Sequence, residues 1–308
     1  MLVPSRINAG RDYSSVTAEE LAALSDEMLA EVDPLAMNLV VANGIPTLAE
    51  LDIRKYREKL DRWVLDFRGR CLPQWEPFFH ESPADWEDDI QFFRFGALCQ
   101  FLEQEIGIQY NRHQRDDQSV LYVDPSDVFL NGVLDTREGT CGNMAALHVA
   151  MGWRMGWPVS LACVASHYIL RFDDGETVYN IEATQAGHGG FKSDPDEYVI
   201  EHKRLPEIAV TSGSDLRALR PREVLGVFVS LRARHFRDLA WTERRHDGVL
   251  ASEADWLLAR WLFPTSRAIY RTANGCHRHA RRGALRRRRN WASQHAPVAA
   301  SKRRASTW

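Results

Sequence analysis

The stretch that decides the fold is "LDTREGTCGNMAALHVAMGWRMGWPVSLACVASHYILRF", residues 134–172. It passes from a Glu-Gly-Thr turn through Cys141 into small and apolar residues, which predict a helix from Thr140 to about Gly156 with Pro158 punctuating its exit. The second half is rich in β-branched and aromatic residues and predicts strand. With "ETVYNIEAT" (176–184) across Asp-Asp-Gly it predicts a β-hairpin. A lone cysteine is by default a small buried hydrophobe. Cys141 differs because it opens a helix, where the first-turn N–H groups lack intrahelical acceptors. Their partial positive charge favours thiolate, and the same donors suit an oxyanion, with Gly142 as a candidate. The small residues around Cys141 are expected to admit a substrate closely. Cys163, inside an apolar strand, is expected to be core.

A thiolate nucleophile needs a base and a group that orients the base. A two-residue turn at Asp174-Gly175 places His167 directly opposite Glu182, and Asn180 opposite Ile169. Opposed side chains on an antiparallel pair are close enough for a carboxylate to fix an imidazole tautomer. The expected site is therefore Cys141, His167 and Glu182, with Asn180 as competing orienter. A one-residue slip would carry Glu182 to the far face. His148 lies two helical turns beyond Cys141, about 10 Å along the axis, and is expected in the core. His188, in the glycine-rich "QAGHGGFKSDP" (185–195), either lines the substrate entrance or belongs to a surface loop.

At 308 residues, with 44% apolar and 26% charged, the chain suffices for a full globular core. Its five cysteines are scattered without a Cys-x-x-Cys pair, which favours a reducing compartment over a disulfide scaffold. The N-terminus lacks the apolar core of a secretory signal and no run reaches membrane-spanning length, so a cytoplasmic protein without membrane contact is expected. The net charge of −3 hides an asymmetry: 11 Lys and Arg and no acid from Arg271 onward, leaving 28 basic against 42 acidic residues, or −14, before it. That tail, lacking apolar periodicity, is expected to be disordered. Nucleic-acid binding is not expected beyond weak electrostatic contact by the tail. "CHRH" (276–279) holds three possible metal ligands, but the arginines around it oppose a cation, and no metal or cofactor is expected.

The periodicity divides the chain into a flexible N-terminus (1–16), a helical part (17–107), an α+β core (108–210), a helical segment (211–274) and the basic tail (275–308). Thr17 stands three residues before Glu20, a capping-box spacing. "TLAELDIRKYREKLDRWVLDFRGR" (47–70) and "WEDDIQFFRFGALCQFLEQEIG" (86–107) predict two further helices, the latter ending at Gly107. A helix pair after Pro221 is expected to pack beside the hairpin.

Thiol, histidine and acid in that order, with the cysteine opening a helix and the others on strands, resemble the transglutaminase-like superfamily. More closely, "IGIQYN" (106–111), "YVDPSDVFLNGVLDTREGTCG" (122–142) and "GWPV" (156–159) are similar to its bacterial SirB-type branch, over about residues 107–184. The resemblance implies a papain-like α+β fold and a Cys-His-acid site at Cys141, His167 and Glu182. Asn111 matches the branch loosely and either donates to the oxyanion or caps a turn. The chain departs from the superfamily in having Glu182 where Asp is usual, and many SirB-type members lack the cysteine. Two functions follow: a cysteine-dependent acyl-transfer enzyme acting on a peptide or protein amide, or a non-catalytic module using the same cleft as a peptide groove.

Overall fold

A computed structural model describes residues 12–111, 121–165, 167–185, 193–243 and 247–270. Thr17 and Glu20 close the reciprocal capping box that their spacing predicts, opening α1 (Ala18–Ala22). Ser25 then accepts from the Met28 N–H and restarts the chain as α2 (Asp26–Ala30). α3 (Pro34–Asn43) is buried on nearly every side, so it is a core helix with no amphipathic period to betray it. α4 (Ile53–Asp66) begins at the Asp52 cap, later than the run of apolar residues from Leu48 predicts. One π-helical turn leads to α5 (Leu72–Glu81). α6 (Ile90–Gln100), capped by Asp89, ends through a second π turn before Gly107, whose φ of 83° is the left-handed geometry that the sequence predicts there.

β1 (Gln109–Tyr110) and β2 (Glu138–Gly139) form a short parallel pair flanking α7 (Leu130–Thr136). α8 (Cys141–Met155) follows and stops at Gly156, φ 75°. β3 (Val159–Val164), β4 (His167–Asp173), β5 (Val178–Ile181) and β6 (Ser193–Asp194) make an antiparallel sheet in chain order. α9 (Asp196–His202), α10 (Glu207–Thr211), α11 (Pro221–Glu243) and α12 (Asp247–Leu262) complete the described chain. The architecture is α+β. Leu161, Cys163, Leu170, Phe172, Tyr179 and Ile181 face a helical core shared with α3, α8 and α11, while Ala162, Val164 and Ile169 join Val199, Leu205 and Leu216 on the other face.

Three expectations need correction. The apolar run 159–172 is two strands, because the chain reverses after Val164: Ala165 takes a left-handed φ of 51°, and its N–H donates to Asp215 Oδ1 at 2.8 Å. Ala-Ser is not one of the dipeptides that signal a two-residue hairpin turn, and the group that holds the reversal lies fifty residues away. The β4–β5 connection has four residues, since Asp173 pairs with Val178 and Arg171 with Asn180. Asp174 Oδ1 accepts from the N–H groups of Glu176 and Thr177, widening the turn. Finally, the C-terminal helix pair packs chiefly through α11 on α1, α2 and α3 rather than beside the sheet. A Cβ on Gly226 would meet Leu262 Cβ at 3.0 Å, so glycine is what lets α11 and α12 approach.

The turn before His167 thus depends on one buried carboxylate. Asp215→Ala leaves the Ala165 N–H without its acceptor and is expected to cost about 1–3 kcal/mol in denaturant unfolding. Asp215→Asn, which keeps an acceptor oxygen, is expected to cost less. Equal stability of the alanine variant and wild type would contradict this role.

Candidate active site

The start of α8 is fixed before any chemistry is considered. Thr140 caps it: the Thr140 N–H donates to Asn143 Oδ1 at 2.7 Å, and Thr140 Oγ1 accepts from the Gly142 N–H at 3.3 Å while donating to the Asp127 carbonyl at 2.6 Å. Asn143 Nδ2 donates to the carbonyls of Ser126 and Phe129. These bonds bolt the first helical turn to the 125–129 segment, and Cys141 occupies the first helical position.

The sheet brings the imidazole. His167 begins β4, and its Nε2 lies 2.7 Å from Glu182 Oε2. The other carboxylate oxygen, Oε1, accepts from the Thr184 N–H at 3.1 Å and from Thr184 Oγ1 at 2.6 Å, so the Glu-Ala-Thr segment brackets its own acid. With Nε2 committed to Glu182, Nδ1 remains for the thiol, and the Cys141 and His167 side chains lie close enough that each shifts the titration of the other. Glu182 sits beside His167 rather than opposite, because the register differs from the predicted one by two residues. An even shift restores the face that an odd one would lose.

Asn180, expected as a competing orienter, is spent elsewhere. Its Oδ1 accepts from Arg171 Nη1 at 2.8 Å and its Nδ2 donates to Asp194 O and Asp196 Oδ1, tying β5 to the start of α9. Asn111 donates its backbone N–H to Gly139 O and its Nδ2 to Asp127 Oδ1 at 2.9 Å, reinforcing the corner beneath Thr140. The glycines flanking the thiol lie against neighbouring side chains. A Cβ on Gly139 would meet Asn143 Oδ1 and Met144 Cγ at 2.6 Å, and one on Gly142 would face Leu231 of α11. His188, the "CHRH" run and the basic tail lie outside the described residues.

Burial opposes the Cys141 thiolate, but the hydrogen bond and charge of His167 outweigh it, so the thiol is held below its usual range. Burial likewise opposes the imidazolium, yet hydrogen bonds to Cys141 and Glu182 raise His167 to about 10. The Glu182 carboxyl, also opposed by burial, is held low by its bonds to His167 and Thr184. The site therefore favours the thiolate of Cys141 and the imidazolium of His167, backed by a carboxylate. The other thiols contrast with it: burial pushes Cys99 up to about 12 and raises Cys71 and Cys163. His148 is buried in α8, its Nδ1 donating to Met144 O, and burial lowers it to about 4.

Sequence reasoning missed two groups at this site. Tyr122 places its hydroxyl 4.0 Å from Cys141 Sγ, and the guanidinium carbon of Arg234 lies 4.3 Å from the Tyr122 ring centroid. Tyr122 stands inside the motif that carried the SirB-type resemblance, so a signal existed for it. Arg234 had none, because it arrives from α11 by tertiary packing. Among the described residues, no three His, Cys, Asp or Glu side chains converge as metal ligands, and no helix is long and apolar enough to cross a membrane.

The model of the transglutaminase-like superfamily matches residues 54–228, more than half of the chain, and the protein belongs to that superfamily. Its members generally perform cysteine-based acyl transfer. No curated protein and no solved structure matches the sequence.

The charge states set a pH window. The stabilisation from the raised His167 is fully present below its ordinary value near 6.5 and is lost as pH rises through about 10. That from the lowered Glu182 is present above the ordinary carboxyl value and is lost as pH falls through the depressed one. Iodoacetamide is expected to alkylate Cys141 well ahead of Cys163 at neutral pH, with an apparent thiol pKa below that of a free cysteine. Glu182→Gln removes a charge that raises His167 and should move the alkaline limb of the rate profile to lower pH. An unmoved limb would contradict the electrostatic linkage.

Proposed function

We propose that the protein is a cysteine-dependent acyl-transfer enzyme whose main reaction is hydrolysis of an amide bond in a peptide or protein. The observation that carries this reading is the convergence of Cys141, at a helix N-terminus, with a His167 imidazole held 2.7 Å from the Glu182 carboxylate. Cys141 Sγ attacks the carbonyl carbon, forming an S–C bond as the carbonyl π electrons move onto oxygen. His167 gives its proton to the departing nitrogen as the C–N bond breaks, leaving a thioester on Cys141. Water then loses a proton to His167, adds to the thioester carbon and expels the thiolate. The acid is released, and the thiolate–imidazolium pair is restored. Glu182 stays ionised throughout and holds the imidazole. Water as acceptor needs no second binding site; an amine in its place would make the reaction a transglutamination. The finer placement in the SirB-type branch rests on the motifs over residues 107–184, and this chain's retention of the cysteine supports an active member.

Cys141→Ala tests the reading. It is expected to abolish turnover of a peptide library while costing less than about 1 kcal/mol of stability, since one small thiol is lost at a helix start. Retained turnover would sink the enzyme reading. Severe unfolding would instead favour the cysteine as a packing residue, with the cleft serving only as a peptide groove.

A further inference from the structure

Acyl transfer at Cys141, on which this inference rests, requires hydrogen-bond donors aimed at the carbonyl oxygen as it becomes an oxyanion. The N–H of Cys141, at the first helical position, has no intrahelical acceptor and is one such donor. Neither of the other expected candidates within the described residues is unencumbered. The Gly142 N–H donates to Thr140 Oγ1, and Asn111 Nδ2 donates to Asp127 Oδ1. We propose that the second oxyanion donor is the Tyr122 hydroxyl, 4.0 Å from Cys141 Sγ. That separation is long for a strong bond to sulfur. It suits an oxygen carried on the carbon that the sulfur has attacked.

Tyr122 is held as a preorganised donor should be. It is buried, its N–H donates to Asp238 Oδ2 at 3.1 Å, and its carbonyl accepts from His235 Nδ1 at 3.0 Å. The guanidinium of Arg234 lies over its ring. All three partners fall within little more than one turn of α11. Fixing the aim of the hydroxyl in advance removes the reorganisation that water would need at the moment of reaction. Burial, aided by the neighbouring thiolate, pushes the phenol above its usual range, so it remains a donor at any working pH. Arg234, His235 and Asp238 lie beyond residue 228, where the superfamily match ends. The oxyanion site therefore draws on a helix end outside the matched core.

The test compares two reactions of the same sulfur. Acylation by p-nitrophenyl acetate forms an S–C bond and expels p-nitrophenolate through a tetrahedral oxyanion, whereas alkylation by iodoacetamide forms an S–C bond and expels iodide with no oxyanion. Tyr122→Phe keeps the ring and removes only the hydroxyl. It is expected to slow single-turnover acylation about 100-fold and to slow alkylation far less, by the share of the thiol's lowering that the hydroxyl supplies. Asp238→Ala, which releases the Tyr122 N–H, is expected to slow acylation more than alkylation, and in both variants the alkylation rate reports whether the thiol–imidazole pair has survived. Equal losses in both reactions would mean that the hydroxyl only tunes the thiol, and unchanged acylation that it plays no part; either overturns the proposal. A wild-type Cys141 no more reactive than Cys163 toward both reagents would strike the acyl-transfer reading itself and take this proposal with it.

Discussion

The mutual electrostatic support of the Cys141 thiol and the His167 imidazole is the interaction on which the rest of the site depends. Burial opposes the charged form of each side chain, and each favours the charged form of the other. Glu182 does not create this pair; it holds the imidazole from the far side and adds a carboxylate that favours the imidazolium. Removing either member would leave the other to neutralise itself, by protonation of the sulfur or deprotonation of the ring.

Two anchors set the meeting of sulfur and ring, and both are made of polar groups rather than apolar packing. Thr140 and Asn143 bolt the start of α8 to the carbonyls of Ser126, Asp127 and Phe129. Asp215 holds the tight turn from which His167 emerges. Directional bonds suit this task, because a displacement of about 1 Å at a reacting group can cost about two orders of magnitude in rate. The apolar core runs continuously from Tyr13 through α3 and α8 to α11 and Ile269, supplying the rigid background against which these bonds act. α11 has a double part, filling that core near its start and gripping Tyr122 near its end.

Local chemistry was legible in the sequence, and distant contacts were not. The Thr17–Glu20 box, the helix opening at Cys141 and the left-handed Gly107 each depend on neighbours within a few residues. The reversal at Ala165 depends on Asp215, and Arg234 reaches Tyr122 only through tertiary packing, so no window of sequence contains either. α3 escaped notice because a helix buried all round carries no period. The pairing of His167 with Glu182 was found from a mistaken register. The error was two residues, and the period-two alternation of a strand forgives even errors while punishing odd ones.

The charge state of His167 tests the account most directly. Nitrogen-15 NMR of the imidazole at about pH 8, in wild type and in Cys141→Ser, reads it without any substrate. The account predicts an imidazolium in wild type, since the ring is raised to about 10, and a neutral ring once the thiolate is gone. A neutral imidazole in wild type at that pH, or one indifferent to the loss of the sulfur, would contradict the claim that thiol and ring hold each other in their charged forms.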